Sequence, residues 1–340
     1  MAQISLGKTG LYVEQNGFGA LPIQRVSKQD AVYLLRKAYD GGMDFYDTAR
    51  SYSDSEEKLG EAFSGMWDKI VIATKIPAVD VPRFWDDLHT SLRMLRRDHI
   101  DIFQFHNPPI SSRPGDDGGL YDAMLEAKQE GKIRFIGMTN HRLDVAQEAI
   151  NSGLYDTLQF PLSYLSTDKE LELVQACKEK EIGFIAMKAL SGGLITDSAA
   201  ACAWLSRFGH VVPIWGIQRE RELNEFLSYI PTPPALSNEM MDRIEVDRQE
   251  LQGNFCRGCG YCMPCPQGIS INMCARASLL LRRAPSEIIL SEDGQQMMKK
   301  IEDCTECGQC SEKCPYGLDV PDLLKKNYED VKEVLAGKPI

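Results

Sequence analysis

Eight of the chain's eleven cysteines fall in two short runs, "CRGCGYCMPCP" at 256–266 and "CTECGQCSEKCP" at 304–315. In the second run Cys304, Cys307, Cys310, Cys314 and Pro315 follow C-x2-C-x2-C-x3-C-P. That spacing wraps three thiolates round one face of a 4Fe–4S cubane and sends the fourth to another cluster. The first run, Cys256, Cys259, Cys262 and Cys265 before Pro266, closes its last step with a spacer of two rather than three. Zinc is the alternative, because C-x2-C pairs also make zinc sites. Zinc takes four ligands from two such pairs, however, so three consecutive steps ending in C-P, twice over, favour two 4Fe–4S clusters. The expected partition is crosswise: Cys256, Cys259 and Cys262 with Cys314, and Cys304, Cys307 and Cys310 with Cys265. Cys177, Cys202 and Cys274 stand apart from the runs and read as core residues.

The elements that must carry these residues are of two kinds. Up to about residue 230, short β-branched or aromatic runs alternate with amphipathic segments, as parallel βα units require. Strands are expected near 16–20, 43–46, 70–74, 100–105, 133–137, 157–160, 182–187 and 211–215, separated by helical patterns such as "KQDAVYLLRKAYDGG" and "DKELELVQACKEKEIG", each with a glycine to serve as C-cap. This rhythm predicts an α/β fold, a (β/α)8 TIM barrel. An open doubly wound sheet is the alternative, but "NGFGALPI" lacks its G-x-G-x-x-G. The alternation stops at "PTPPAL" (231–236), which sets a boundary between a barrel over 1–235 and a small helical domain over 236–340. In the latter, helices are expected near 237–251, 272–284 and 286–301.

In such a barrel the loops after the strands build the site, so polar residues at strand ends are the candidates. These are Asp47, Tyr52 five residues on, Lys75, His106, Thr139 with Asn140, and Gln159. Hydride reduction of a carbonyl creates an oxyanion that must be protonated, and a tyrosine of ordinary pKa near 10 is a poor donor at neutral pH. Lys75 would lower that pKa, Asp47 would hold Lys75 in an ion pair, and His106 would orient the carbonyl, leaving Tyr52 as general acid. Singly, Asp47 could cap a helix and His106 could be a satisfied loop histidine. Four such groups at corresponding strand ends argue for a site.

"FYDTARSY" with "SEEKLG", "IATK", "FQFHN", "IGMTNH" and "LQF" resemble, in order and spacing over about residues 3–226, the motifs of the aldo-keto reductase superfamily. The C-terminal part resembles the branch with a ferredoxin-like domain. The resemblance implies a nicotinamide, NADPH or NADH, across the barrel mouth. Its carboxamide would be held by Thr139, Asn140 and Gln159, with threonine where serine is usual. Met187, followed by Lys188, stands where an aromatic residue commonly stacks, and Gly193 lies in the next loop. Gln218, Arg219 and Arg221 would contact the adenosine phosphate, Glu225 matches the usual acidic residue, and Phe226 stands where asparagine is expected. The bland reading of Arg219 and Arg221 is a solvated first helical turn.

A net charge of −11 argues against a nucleic-acid partner. No stretch reaches the roughly 18–20 apolar residues of a membrane span, and "MAQISLGKTG" has no apolar signal core, so a cytoplasmic protein is expected. The leading function is a hydride-transferring oxidoreductase acting on a small carbonyl or alcohol. A hydride carries two electrons and a cubane passes one, so the clusters need another role or an intermediary. In the second reading they exchange electrons with a ferredoxin or flavodoxin and pass them to a flavin or substrate in the barrel, although no flavin motif is present. The third is a non-catalytic redox sensor. The loop "NPPISSRPGDDGG" reads as a lid or a solvated loop, and Phe84 and Trp85 as mouth lining or helix core.

Overall fold

The computed structural model describes residues 3–77, 80–251, 255–283 and 286–339. The chain divides into two units, Met1–Ala189 with Ala199–Ser237, and Leu190–Ser198 with Asn238–Ile340. The sequence reading places the loop Leu190–Ser198 with the barrel; its contacts group it with the second unit.

The first unit opens with an antiparallel hairpin, β1 (Gln3–Ser5) and β2 (Tyr12–Glu14). Eight parallel strands follow: β3 (Gly17–Gly19), β4 (Phe45–Asp47), β5 (Val71–Ile76), β6 (Ile100–His106), β7 (Ile133–Thr139), β8 (Thr157–Pro161), β9 (Gly183–Met187) and β10 (Val211–Gly216). They close in the order β10-β3-β4-β5-β6-β7-β8-β9. Each overlaps an expected strand, and the (β/α)8 barrel is the fold. Among the described residues eight α-helices alternate with them: α1 (Lys28–Asp40), α2 (Ser55–Ala62), α3 (Val81–Leu95), α4 (Leu120–Gln129), α5 (Leu143–Ser152), α6 (Asp168–Glu179), α7 (Ser198–Leu205) and α8 (Glu220–Tyr229).

Local chemistry explains the helix limits. Ser27 caps α1 by accepting from Asp30 N at 3.1 Å. Ala31, Leu34, Leu35 and Ala38 bury one face, each leucine contributing about 1.5–3 kcal/mol. Gly42 then turns the chain at φ +106°. In α6 a capping box of Thr167 and Glu170 starts the helix. Its expected glycine cap is displaced: the helix ends at Glu179, Glu181 takes the left-handed turn at φ +53°, and Gly183 begins β9.

The hairpin was not foreseen, because two three-residue strands carry too little periodicity to read. It lays Ile4, Leu6, Leu11 and Val13 against Phe45, Val71, Ile102, Ile185 and Val212, all buried at one end of the barrel. Gly7, at φ +58°, makes this possible, since a Cβ there would stand 2.2 Å from Glu181 O.

The second unit, among the described residues, is helix and loop: α9 (Asn238–Glu250), α10 (Ile271–Cys274), α11 (Ala277–Arg283), α12 (Glu287–Leu290), α13 (Glu292–Lys299), α14 (Gln309–Glu312) and α15 (Val320–Leu335). Two expected helices are each broken in two. The first breaks at Ala275–Arg276; the second breaks at Ser291, whose extended backbone and hydroxyl cap α13 through Gly294 N at 3.2 Å. Helix α15 lies beyond the elements expected from sequence, and its signal was the Asp319-Val-Pro start. The core joins Ile269, Ile271, Cys274, Leu281, Ile289, Met298, Val320, Leu324 and Val331. No described helix is long and apolar enough to cross a membrane.

Candidate active site and cluster cavities

Parallel register brings the barrel's polar strand ends side by side. Lys75 pairs with Gln104, His106 with Thr139, and Thr139 with Gln159, while Asp47 pairs with Ala73, two residues before Lys75. Lys75 Nζ lies 2.8 Å from Asp47 Oδ2, with both side chains buried, and also donates to Thr48 O at 2.5 Å. Burial pulls the ammonium down and pushes the carboxyl up, and each partner's charge opposes the shift of the other.

Beyond β4 the chain keeps tracking β5, with Thr48 N bonding Ala73 O at 2.8 Å and Arg50 N bonding Lys75 O at 2.8 Å. That path delivers Tyr52, whose ring centroid is 5.0 Å from Lys75 Nζ and 5.9 Å from the His106 ring. Two residues pin the loop. Ser55 Oγ meets Thr48 Oγ1 at 2.8 Å and donates to Ala20 O at 3.0 Å. Buried Glu56 accepts from Thr74 Oγ1 at 2.7 Å and pairs with Arg50. Glu56 and Arg50 were not singled out from sequence, although both lie inside or beside the quoted motifs.

The four groups are thus together, but one expectation is corrected. Tyr52 is not lowered: burial first, and the charge of Asp47 second, push its phenol well above the usual value. His106 moves the other way, pulled down to about 3 by burial and by the Lys75 charge. Its Nδ1 lies 3.3 Å from Ser51 Oγ; with that hydroxyl donating, the ring proton sits on Nε2. A second histidine, His141, is buried just past the end of the neighbouring strand β7, its imidazole held well below the usual range by burial and by Lys188 and His106. The sequence offered it in "IGMTNH", but without a role.

The expected nicotinamide contacts divide. Thr139 and Gln159 are buried on adjacent strands, Thr139 Oγ1 donating to Met187 Sδ at 3.8 Å and Gln159 Oε1 accepting from Gln104 Nε2 at 2.9 Å. Asn140 is committed elsewhere. Its Oδ1 accepts from His141 N at 2.9 Å and Arg142 N at 2.8 Å, and its Nδ2 donates to Pro108 O at 2.9 Å. It ties the start of α5 to the loop after β6. Lys188 adopts φ +56° at the end of β9, and Gly193, φ +93°, lies in the segment grouped with the second unit.

At the start of α8 the expected phosphate grip is filled from within. Glu222 Oε2 accepts from the amides of Gln218 and Arg219, each at 3.0 Å, and its Oε1 pairs with the Arg219 guanidinium at 3.1 Å. Arg221 and Glu225 are exposed. Phe226 is a core anchor, stacked on Trp215 at 4.4 Å, which explains why no asparagine stands there. The loop after β6 is tethered by Tyr155 Oη to Ser112 O at 2.7 Å and by Arg113–Glu148 at 2.7 Å, while Phe84 is buried edge-on to Phe103.

In the second unit, Cys256, Cys259, Cys262 and Cys314 line one cavity, whose empty space of about 350 Å³ runs out into solvent. Cys304, Cys307, Cys310 and Cys265 line another, about 410 Å³ counted the same way, with Cys262 on its wall. Among the described residues no three His, Cys, Asp or Glu side chains converge tightly enough for a single metal ion. A mononuclear zinc draws its sulfurs to about 2.3 Å from one point, whereas thiolates set around an open cavity suit a polynuclear cluster. The donor chemistry fits a cubane. Gly258 N donates to Cys256 Sγ at 3.3 Å, as backbone amides do toward cluster thiolates. The solitary thiols are inert by environment, burial pushing Cys177 up to about 12 and Cys202 and Cys274 up to about 11.

Comparison with known proteins agrees with both halves. Residues 255–319 match the 4Fe-4S dicluster domain. L-galactose dehydrogenase of Arabidopsis thaliana is 31% identical over 212 residues, covering 57% of this chain and 66% of that protein. Aldo-keto reductase YhdN of Bacillus subtilis is 26% identical over 219 residues, covering 58% and 64%. The chain spans about two thirds of the length of the curated relatives it matches. Among solved structures, an aldo-keto reductase from Bacillus halodurans in its holo form superposes with a TM-score of 0.64 at 20% identity, over 73% of this chain and 96% of that one. One from Klebsiella pneumoniae in complex with NADPH gives 0.60 at 21%, over 72% and 95%. At these identities the structural likeness is one of fold. The family itself is matched over residues 15–201, more than half the chain, so this barrel belongs to the aldo/keto reductase family and is followed by a 4Fe-4S dicluster domain.

Proposed function

We propose that the barrel interconverts a small carbonyl and its alcohol, with Tyr52 transferring the proton. The observation that carries this is the meeting of Tyr52, His106 and the buried Asp47–Lys75 pair at neighbouring strand ends. In reduction the carbonyl carbon gains a hydride equivalent and the oxygen takes the Tyr52 proton, which solvent restores. Burial keeps that phenol protonated in the resting site. As the proton leaves, the Lys75 ammonium beside the ring stabilises the phenolate. His106, neutral across the physiological range, donates from Nε2 to the carbonyl oxygen and sets its orientation without contributing a cation.

For the electrons, the NADPH complex of the Klebsiella relative supports a nicotinamide. When bound it supplies the hydride, and Thr139 and Gln159 are the residues that would hold its carboxamide. Asn140 and the start of α8 do not fit that role as they stand. This favours a second reading, in which the dicluster domain, fed by a ferredoxin or flavodoxin, supplies electrons one at a time to the barrel's substrate or to a flavin.

Anaerobically prepared protein, mixed with aldehydes and ketones and given NADPH, NADH or chemically reduced clusters in turn, separates the two. Product formed at the expense of NAD(P)H in protein stripped of iron supports the first. Product that needs clusters and ignores NAD(P)H supports the second, and absence of product from every donor and carbonyl counts against the carbonyl site.

A further inference from the structure

Arg276 sits in the break between α10 and α11 and is 7% exposed. Its Nη2 donates to Gly192 O at 2.7 Å within the same unit, but its Nε is buried with no hydrogen-bond partner. Among the described residues no carboxylate acts on it, and the Cys256 thiol is its one titratable neighbour. Gly258, whose amide bonds Cys256 Sγ, lies so close that a Cβ there would stand 2.3 Å from Arg276 Nη1. A guanidinium removed from water with no anionic partner is strongly unfavourable. This one follows directly on Ala275, which lines the first cysteine cavity, and a four-thiolate cubane there, which carries net negative charge, would provide the missing counter-ion. That cavity's Cys256 is buried, whereas Cys307 of the other cavity is exposed. Burial opposes the extra negative charge of reduction, so an enclosed cluster needs a nearby cation to remain reducible.

We propose that Arg276 is the counter-charge of the first-cavity cluster, a positioning residue that raises this cluster's reduction potential so that an electron arriving at the more exposed cluster can move on to it. The proposal rests on the two-cluster reading of the cavities.

The test uses whole protein isolated anaerobically, with iron counted and the midpoint of each cluster followed by EPR-monitored redox titration in wild type, Arg276→Gln and Arg276→Lys; Cys256→Ser marks the signal of the first cavity. Wild type should hold about eight irons per chain. Arg276→Gln should lower the reduced-to-oxidised ratio of the first-cavity cluster at fixed potential at least about tenfold, some 59 mV for a one-electron couple, and leave the other cluster unmoved. Arg276→Lys, which keeps the charge, should stay within about threefold of wild type. If Arg276→Gln loses iron, a fully loaded Arg276→Lys with the wild-type midpoint upholds the proposal. Full iron in Arg276→Gln with no shift, a shift confined to the other cluster, or a lysine variant that moves as far as glutamine overturns it. Iron well short of eight in wild type fails the two-cluster reading first, and the proposal with it.

Discussion

At the scale of single residues, the site's character comes from burial setting neighbouring groups in opposite protonation states. Tyr52 stays protonated and His106 stays neutral. The histidines also couple pH to stability. Their unfolded pKa is near 6.5, whereas in the fold His106 sits at about 3 and His141 well below its usual value. Between those limits the unfolded chain binds protons that the folded chain refuses. Stability is therefore intact above about pH 6.5 and falls as pH drops toward 3. Thermal melts at pH 7 and pH 5 should show a decrease that His106→Gln with His141→Gln makes smaller; an equal decrease in the variant would place the acid sensitivity elsewhere. Glu222 makes a second residue-scale case. Its carboxylate fills the amides of Gln218 and Arg219, so Glu222→Ala should cost about 1 kcal/mol of helix capping yet tighten NADPH binding, most at low salt. An unchanged affinity would show that this carboxylate is no barrier. The meeting of Asp47, Tyr52, Lys75 and His106 was legible because strand-end position and residue type are both written in the chain. The pKa of Tyr52 was not, since a lysine nearby suggests lowering and only the three-dimensional burial reveals the stronger opposing effect.

At the scale of elements, the eight barrel strands were readable as β-branched runs between amphipathic helices, and the structure has each of them. What escaped was set by contacts distant in sequence. The hairpin β1–β2 is too short to show a period, and Gly183, which in the sequence reads as a helix cap, packs against Leu6, where a Cβ would come within 3.0 Å of backbone. The hairpin's own turn depends on Gly7. Gly7→Ala adds a left-handed penalty to a 2.2 Å clash with Glu181 O, so equilibrium unfolding should show a loss of about 2–3 kcal/mol. A loss below about 0.5 kcal/mol would mean that the hairpin contributes little to barrel stability. In the second unit the cysteine spacing was legible and the helix breaks were not, because Ser291 caps and Arg276 turns only in response to the packing around them.

At the scale of the whole molecule, one chain joins a barrel of the aldo/keto reductase family to a 4Fe-4S dicluster domain. Whether electrons arrive as a hydride or singly, a carbonyl becoming an alcohol must gain a proton at oxygen, and in the proposed function Tyr52 supplies it. The most direct measurement is single-turnover product formation by anaerobic, iron-loaded Tyr52→Phe against wild type, with whichever donor supports turnover. A fall of about 10²–10⁴-fold, with iron content and melting temperature unchanged, is the predicted result. Product formed by the phenylalanine variant at close to the wild-type rate would contradict the account.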